Sequence, residues 1–161
     1  MTIRATTFLS VSEFTCDEGY DLIGSARLVC KADGTWNGTE PTCRIRDCGS
    51  LLAPASGTVV YASSTYGSVA LYQCNGGHDM VGNGTRGCLS NSTWNGQPPV
   101  CQIKDCQIPP IPLNDTATFN TTTFGSSVMY TCDAGFDLIG NNVSECLEFG
   151  NWSSLHTHTV K

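Results

Sequence analysis

Cysteine is the residue type in this chain with the widest chemistry, because thiolates bind metals, attack electrophiles and form disulfides. The 161 residues include ten cysteines, at positions 16, 30, 43, 48, 74, 88, 101, 106, 132 and 146. Only three histidines accompany them, and no Cys-x-x-Cys pair occurs, which argues against zinc and iron–sulfur sites. With charged residues at only 14%, the composition favours a secreted chain whose cysteines form disulfides in an oxidising compartment.

Side chains suited to catalysis or metal binding are scarce. His78 is one of the three histidines, and no GxSxG nucleophile motif is present, so the sequence predicts no enzyme. The His-Thr-His segment 156–158 could place two imidazoles on one side of a strand. The acidic residues Asp17, Glu18 and Asp21 lack the alternating oxygen ligands of an EF-hand loop. We therefore predict no metal and no cofactor.

Charge and hydropathy exclude two further classes. The net charge of −6 and the pI of 4.8 argue against a nucleic-acid partner, which would require clustered Lys and Arg. The longest apolar runs, such as residues 69–72, fall far short of the ~20 residues of a membrane span. Residues 1–7 contain no apolar signal-peptide region.

The cysteines repeat with a fixed period. Adding 58 to the positions of the first six cysteines (16, 30, 43, 48, 74 and 88) gives 74, 88, 101, 106, 132 and 146, and each of these positions is again a cysteine. Other residue types share the period: Trp36, Trp94 and Trp152; Gly24, Gly82 and Gly140; and Phe14, Tyr72 and Tyr130. Strand-length apolar runs, 17 glycines and no helical periodicity predict an all-β fold for the repeating unit.

The unit resembles the sushi family, also called the complement control protein module or short consensus repeat. The residues that carry the likeness are Tyr72-Gln73-Cys74, Gly82, Cys88, Trp94, Pro99 and Cys101. The resemblance implies tandem β-sandwiches, small, disulfide-linked and arranged end to end. Four cysteines alone allow three pairings. The family rule, first to third and second to fourth, implies Cys48–Cys88 and Cys74–Cys101, with Cys16–Cys43 and Cys106–Cys146 in the neighbouring modules. Trp36, Trp94 and Trp152 are predicted core anchors.

The period also predicts the domain boundaries. Module 1 covers residues 1–43 and lacks its first cysteine, module 2 covers 48–101 and is complete, and module 3 covers 106–161. In module 3, Thr159 stands where the fourth cysteine is due. Cys30 and Cys132 have therefore lost their family partners and are predicted to stay outside the disulfides. We expect the chain to be a fragment of a longer protein, which would account for the missing signal peptide.

The linkers 44–47 and 102–105 are too short for free tumbling, because four extended residues span at most about 14 Å. We expect successive modules to touch. Ile45 and Ile103 are predicted to be buried at the junctions, with Arg44, Arg46 and Lys104 outside. Seven N-x-S/T sequons are glycosylation candidates: Asn37, Asn83, Asn91, Asn114, Asn120, Asn142 and Asn151.

Three functions remain open. The favoured one is an extracellular, non-enzymatic segment of a receptor, adhesion or complement-regulator-like protein, which binds a protein or glycan ligand. The first alternative is a structural spacer or stalk, because fold does not dictate function. The second is a set of accessory modules in a sushi-containing protease. Exposed aromatic or basic surface residues would favour binding, and sugars on every face would favour a stalk.

Overall fold

The computed structural model describes residues 2–3, 7–153 and 157–160; for 2–3 and 157–160 it describes the strand backbone alone. All strands and helices assigned in the described residues are β-strands; none is a helix, which confirms the predicted all-β class. The strands are short, with two to six residues each. Strands of this length must gain most of their stability from packing and cross-links.

The strands fall into three sets that follow the sequence repeat. The first set contains β1 (Thr2–Ile3), β2 (Val11–Glu13), β3 (Tyr20–Ile23), β4 (Arg27–Val29) and β5 (Thr42–Ile45). The second contains β6 (Gly57–Val60), β7 (Val69–Cys74), β8 (His78–Val81), β9 (Thr85–Gly87) and β10 (Val100–Ile103). The third contains β11 (Asp115–Thr118), β12 (Ser127–Cys132), β13 (Phe136–Ile139), β14 (Val143–Glu145) and β15 (Thr157–Val160).

Each repeat pairs its strands in the same way. Three strands form one sheet, in the orders β1-β2-β4, β6-β7-β9 and β11-β12-β14, and two form another, β3-β5, β8-β10 and β13-β15. The paired strands are antiparallel, for example with Val69 opposite Gly87 and, 58 residues later, Ser127 opposite Glu145. The predicted tandem of small β modules is therefore confirmed.

Period-2 alternation explains why the central strands form. In β7, Ala70 and Tyr72 are buried while Val69 and Leu71 are exposed. The same alternation recurs in β12, where Val128 is 0% exposed. One face of each three-stranded sheet thus builds the core, and the other faces solvent.

The last strand corrects one sequence prediction. In the first two repeats, the fourth cysteine lies opposite a residue of the neighbouring strand: Cys43 lies opposite Leu22, and Cys101 lies opposite Met80. The next position in that series, Leu138, lies opposite His158 and not opposite Thr159. The segment after Trp152 is therefore one residue shorter than in the second repeat, and strand pairing continues although the sequence has left the repeat.

The structure divides into two compact units, and the second repeat contributes to both. One unit contains residues 1–52, 59–71 and 85–97, and the other contains 53–58, 72–84 and 98–161. Each unit holds one junction between successive repeats, so each junction can be described within its own unit.

Candidate functional site

Four disulfides cross-link the strands. They join Cys16 to Cys43, Cys48 to Cys88, Cys74 to Cys101 and Cys106 to Cys146, with Cα–Cα distances of 5.5–5.8 Å. This is the pairing that the family rule implies. Loops of 27 and 40 residues correspond to roughly 3.5–4 kcal/mol per bond in the chain-entropy description.

Two cysteines, Cys30 and Cys132, lie outside these four disulfides. Cys30 is buried, and its thiol donates to the Lys31 carbonyl oxygen at 3.7 Å. Cys132 is half-buried; burial raises the pKa of its thiol, and a hydrogen bond and the negative charge of Asp115 raise that pKa further. The Cys132 thiol therefore stays protonated at neutral pH and is a weak nucleophile.

The three tryptophans occupy the same position in each repeat. The backbone of each forms an isolated antiparallel β-bridge with the preceding cysteine: Trp36 with Cys30, Trp94 with Cys88 and Trp152 with Cys146. Trp94 is buried, whereas Trp36 and Trp152 are half-buried. The Trp94 Nε1 donates a hydrogen bond to the Gly49 carbonyl oxygen at 2.9 Å. The Trp94 and Tyr61 rings pack edge to face, with 5.7 Å between their centroids. These contacts make Trp94 a packing residue of its unit.

The Arg86 side chain forms hydrogen bonds with the backbone at and just after Trp94. Its guanidinium donates to the carbonyl oxygens of Trp94, Asn95 and Gly96 at distances of 2.8–3.2 Å. These contacts give Arg86 a structural role, so it is not a ready cation for an external anion.

At the first junction, an aromatic ring sits on a glycine. Gly19 is buried, and a Cβ atom on it would lie 2.0 Å from Cδ1 of Tyr66. The Arg46 amide donates to the Gly19 carbonyl oxygen at 2.9 Å, and the Tyr66 amide donates to the Arg46 carbonyl oxygen at 2.8 Å. Only glycine lets the ring approach the backbone this closely, so the contact fixes the linker against the first repeat.

An ion pair accompanies the first ring. The Arg46 Nε lies 2.8 Å from Oδ1 of Asp21, and the same guanidinium donates to the Ser90 carbonyl oxygen. Because the Asp21 and Arg46 side chains are 43% and 34% exposed, the pair is partly shielded from solvent. It orients the junction more than it stabilises it.

The second junction repeats both contacts 58 residues later. A Cβ on the buried Gly77 would lie 2.1 Å from Cδ1 of Phe124, and the Lys104 amide donates to the Gly77 carbonyl oxygen at 2.8 Å. Lys104 Nζ lies 3.5 Å from Oδ1 of Asp79. His78 meets the Phe124 ring edge-on at 6.4 Å. The ring-on-glycine contact is therefore a device that the chain uses at both junctions.

These junctions correct the predicted linker packing. Ile45 and Ile103, expected to be buried, are 36% and 44% exposed. The expected outward position of Arg46 and Lys104 is also wrong, because both are half-buried in ion pairs. The ring of the following repeat, and not the linker isoleucine, covers the preceding repeat. Only Arg44 is exposed as predicted.

A cleft of 480 Å³ lies beside the first junction. Its lining residues are Asp21, Arg44, Ile45, Arg46, Asp47, Thr65 and Ser92. A hydrogen bond from the Gly49 amide, at 2.7 Å, lowers the pKa of the Asp47 carboxyl, so the carboxylate persists into mild acid. Two carboxylates therefore offset the two arginines, and the cleft does not form a cationic site for an anion.

The outer face of the second repeat's three-stranded sheet is apolar. It presents Val60, Val69 and Leu71, which are 61%, 56% and 53% exposed, and we call these three residues the apolar face. Thr85 lies opposite Leu71 and Gly87 opposite Val69, so the neighbouring strand adds no charge. The sequence does not reveal this face, because the alternation of residues in β7 is the same as in any half-buried strand.

The Sushi repeat (SCR repeat) family model matches three stretches of the chain, residues 4–43, 48–101 and 106–158. The chain belongs to the sushi family. Its four disulfides fit the extracellular setting of sushi proteins, while the module boundaries predicted above stay a prediction.

Similar sushi proteins are much longer than this chain. The "Sushi, von Willebrand factor type A, EGF and pentraxin domain-containing protein 1" of Rattus norvegicus is 37% identical over 151 residues, covering 92% of this chain and 4% of that protein. P-selectin of Mus musculus is 34% identical, covering 92% and 20%, and E-selectin of Sus scrofa is 31% identical, covering 87% and 31%. The chain spans less than a third of each relative.

The sequons of the sushi repeats are accessible. Asn37, Asn83, Asn91, Asn120, Asn142 and Asn151 are exposed, and Asn114 is half-buried. A groove of 420 Å³ on the third repeat includes Asn120 in its lining, so a sugar there would cover the groove. Across the described residues no helix has the length and hydropathy to cross a bilayer. The side chains of the His-Thr-His segment 156–158 lie outside the described residues.

Proposed function

We propose that this chain is an extracellular, non-enzymatic binding segment of an adhesion-type sushi protein, with modules at residues 1–43, 48–101 and 106–161. Its apolar face, Val60, Val69 and Leu71, contacts a protein ligand. The resemblance to P-selectin and E-selectin supports the adhesion-type role. The partner is an extracellular protein with an apolar patch of its own.

The observation that carries this proposal is a comparison between repeats. The positions of Val60 and Val69 are taken by Thr118 and Ser127 in the third repeat, on the same exposed sheet face. The sheet therefore forms with polar residues at these sites, so the fold does not demand valine there. Exposed apolar side chains that the fold does not need indicate an interaction surface.

The chemistry of the face favours a protein ligand over a glycan. Val60, Val69 and Leu71 offer no hydrogen-bond donor or acceptor, and sugar hydroxyls require such groups. Centres of protein interfaces are depleted of charge and enriched in apolar area, as this face is. The mixed-charge cleft at the first junction lies in the same unit and can contribute polar contacts at a rim.

A spacer role is the second candidate, and one observation favours it. Six of the seven sequon asparagines are exposed, so sugars could cover much of the surface. The two ring-on-glycine junctions would also stiffen a stalk. The two candidates differ in the apolar face, which a stalk does not use.

The test exchanges residues between repeats. The secreted chain, fluorescently labelled, is applied to an array of immobilised extracellular domains and glycans. The variant Val60→Thr, Val69→Ser, Leu71→Met places third-repeat residues on the second repeat. We expect the chain to bind at least one ectodomain, and the variant to lose about tenfold or more in affinity, as for interface hot spots.

The matched control makes the reverse exchange, Thr118→Val, Ser127→Val, Met129→Leu, and should bind with unchanged affinity. A non-reducing peptide map must show the same four disulfides in all three proteins. Binding that survives the exchange, or binding to glycans alone, would contradict the assigned face. A chain that binds nothing on the array would leave the spacer role as the better account.

A further inference from the structure

Four asparagines of the chain are followed directly by glycine: Asn37, Asn75, Asn83 and Asn95. An Asn-Gly pair can deamidate without an enzyme, because the backbone nitrogen of the glycine is held next to the side-chain amide carbon of the asparagine and can attack it. Glycine permits this attack because it has no Cβ and its backbone dihedrals are the least restricted. The surroundings of each pair decide which of the four reacts.

Three of the pairs are protected. Asn37 and Asn83 begin sequons, and a sugar on Nδ2 occupies the group that has to leave. The Asn37 Oδ1 also accepts a hydrogen bond from the Val29 amide at 2.9 Å. The Asn95 Oδ1 accepts the equivalent bond from the Gly87 amide at 2.8 Å. Such a bond fixes the side chain and keeps its Cγ from turning toward the nitrogen of the next residue.

Asn75 has neither form of protection. Gly77 stands where a sequon would require Ser or Thr. The Asn75 side chain is exposed, and within the described part of the chain it has no hydrogen-bond partner. The Gly76 amide likewise donates to no atom of the described residues. The two groups that react are therefore both unoccupied.

The turn that carries Asn75 is built with an aspartate in the other two repeats. In each repeat, the carbonyl oxygen at this position accepts a hydrogen bond from the amide three residues later. The pairs are Asp17 with Tyr20, Asn75 with His78 and Asp133 with Phe136, at 3.1–3.3 Å. An aspartate therefore fits the turn, and deamidation to ordinary aspartate gives the second repeat the residue that its neighbours already have.

The same turn belongs to the second junction. Gly77 lies under the Phe124 ring, and its carbonyl oxygen accepts the Lys104 amide at 2.8 Å. Gly76 meets the third repeat as well, because Oε2 of Glu148 lies 2.8 Å from the point where a Cβ on Gly76 would stand. All of these residues are in one compact unit. A change in backbone length just before Gly76 therefore acts directly on the junction.

We propose that Asn75 is a site of spontaneous deamidation, and that one of its two products, isoaspartate, opens the second junction. In the first step the Gly76 nitrogen bonds to Cγ of Asn75. The Cγ–Nδ2 bond breaks, and Nδ2 leaves as ammonia together with the amide proton of Gly76. The product is a cyclic succinimide.

Water then opens the succinimide in one of two ways. Attack at Cγ breaks the new Cγ–N bond and leaves an aspartate in a normal backbone. Attack at the main-chain carbonyl carbon breaks the original peptide bond, so that the chain runs through Cγ as isoaspartate. The overall reaction consumes one water and releases one ammonia, and no oxidant or reductant takes part.

The two products differ in their effect on the junction. Both add one negative charge, but only isoaspartate adds a carbon atom to the backbone, which lengthens it by about 1.5 Å. Gly77 has no room for such a shift, because even a Cβ there would lie 2.1 Å from Cδ1 of Phe124. Close-packed contacts of this kind do not deform continuously. The Phe124 ring must therefore leave its place on the glycine.

The first experiment follows deamidation in the folded, secreted chain during incubation in mildly alkaline buffer. Peptide mapping measures the mass increase from amide to acid at Asn75 and at Asn95. We expect Asn75 to react about fivefold faster or more, because Asn95 must first break a hydrogen bond of ordinary strength. In the reduced, urea-unfolded chain the two rates should converge, since both asparagines precede glycine. Equal rates in the folded chain, or a faster reaction at Asn95, would overturn the proposal.

The second experiment tests the effect on the junction by hydrogen exchange of single amides. Protein with isoaspartate at position 75 is isolated by ion exchange and identified with an isoaspartyl methyltransferase. We expect its Lys104 amide to exchange about fivefold faster or more than in fresh protein, because its bond to Gly77 is disturbed. The Arg46 amide, which donates to Gly19 at the first junction, is the internal control and should exchange at an unchanged rate.

The variant Asn75→Asp separates charge from backbone length. It carries the charge of both products in a normal backbone, and we expect it to match fresh protein at the Lys104 and Arg46 amides. Three results would each overturn the effect on the junction: unchanged Lys104 exchange in the isoaspartate form, equal acceleration at both amides, or the same acceleration in Asn75→Asp.

Discussion

At the scale of single residues, the neighbouring Asp115 reduces the reactivity of the Cys132 thiol. Burial and the Asp115 carboxylate raise the pKa of the thiol, so the reactive thiolate is rarer than for an exposed cysteine at the same pH. The variant Asp115→Asn removes the charge, and we expect it to lower the thiol pKa. The rate of iodoacetamide alkylation of Cys132 at pH 8 should then rise, by up to about tenfold for each pKa unit recovered.

The control for this prediction is Asp133→Asn. Asp133 also raises the Cys132 pKa by its charge, but its effect is smaller than that of Asp115. Peptide mapping after timed alkylation gives the rate for Cys132 alone. A larger acceleration from Asp133→Asn than from Asp115→Asn would show that Asp115 is not the dominant charge.

At the scale of elements, the junctions depend on glycines that carry rings. Gly77→Ala would place a Cβ 2.1 Å from the Phe124 ring, whereas Gly135→Ala would meet no described atom. Both positions have positive φ, so both variants carry similar backbone strain. We expect Gly77→Ala to lower the free energy of unfolding by about 1–3 kcal/mol more than Gly135→Ala, from overpacking. Urea unfolding followed by circular dichroism measures the difference, and equal losses would contradict the ring contact.

The junctions also show how far sequence reasoning reaches. Apolar runs of strand length predicted the all-β class, and the period of 58 residues predicted that one small fold repeats along the chain. It did not predict which glycine meets which ring, since Gly19 and Tyr66 are 47 residues apart and belong to different repeats. The signal was present, because both residue types recur at the period, but their pairing depends on how one repeat follows the next. For the same reason, Ile45 and Ile103 were wrongly predicted to be buried.

The apolar face and the last strand were hidden for different reasons. Val69 and Leu71 alternate with Ala70 and Tyr72, so the pattern of β7 does not reveal which of the two faces is buried. In the last strand, counting by the period pointed to Thr159, while hydrogen bonding placed His158 opposite Leu138. The strands can pair although the connection after Trp152 is one residue shorter, and counting by a fixed period does not detect that difference.

At the scale of the whole molecule, stability rests on cross-links more than on the core. Among the described residues, few apolar side chains have almost no exposure; examples are Ala70 and Val128 at 0% and Tyr130 at 1%. Modules of about 60 residues bury too little surface to be robust on apolar packing alone. The disulfides therefore supply a large share of the net stability.

This balance predicts unequal effects of cysteine substitution. The double variant Cys74→Ser, Cys101→Ser removes one disulfide, and we expect it to lower the free energy of unfolding by about 2–5 kcal/mol. Cys132→Ser, at the position equivalent to Cys74 in the next repeat, removes no disulfide and should cost well under half as much. Thermal unfolding of the secreted proteins, with a non-reducing peptide map of each, gives both values. Comparable losses would mean that Cys132 is cross-linked in the folded protein, and the division of the ten cysteines into eight paired and two outside the disulfides would have to be redrawn.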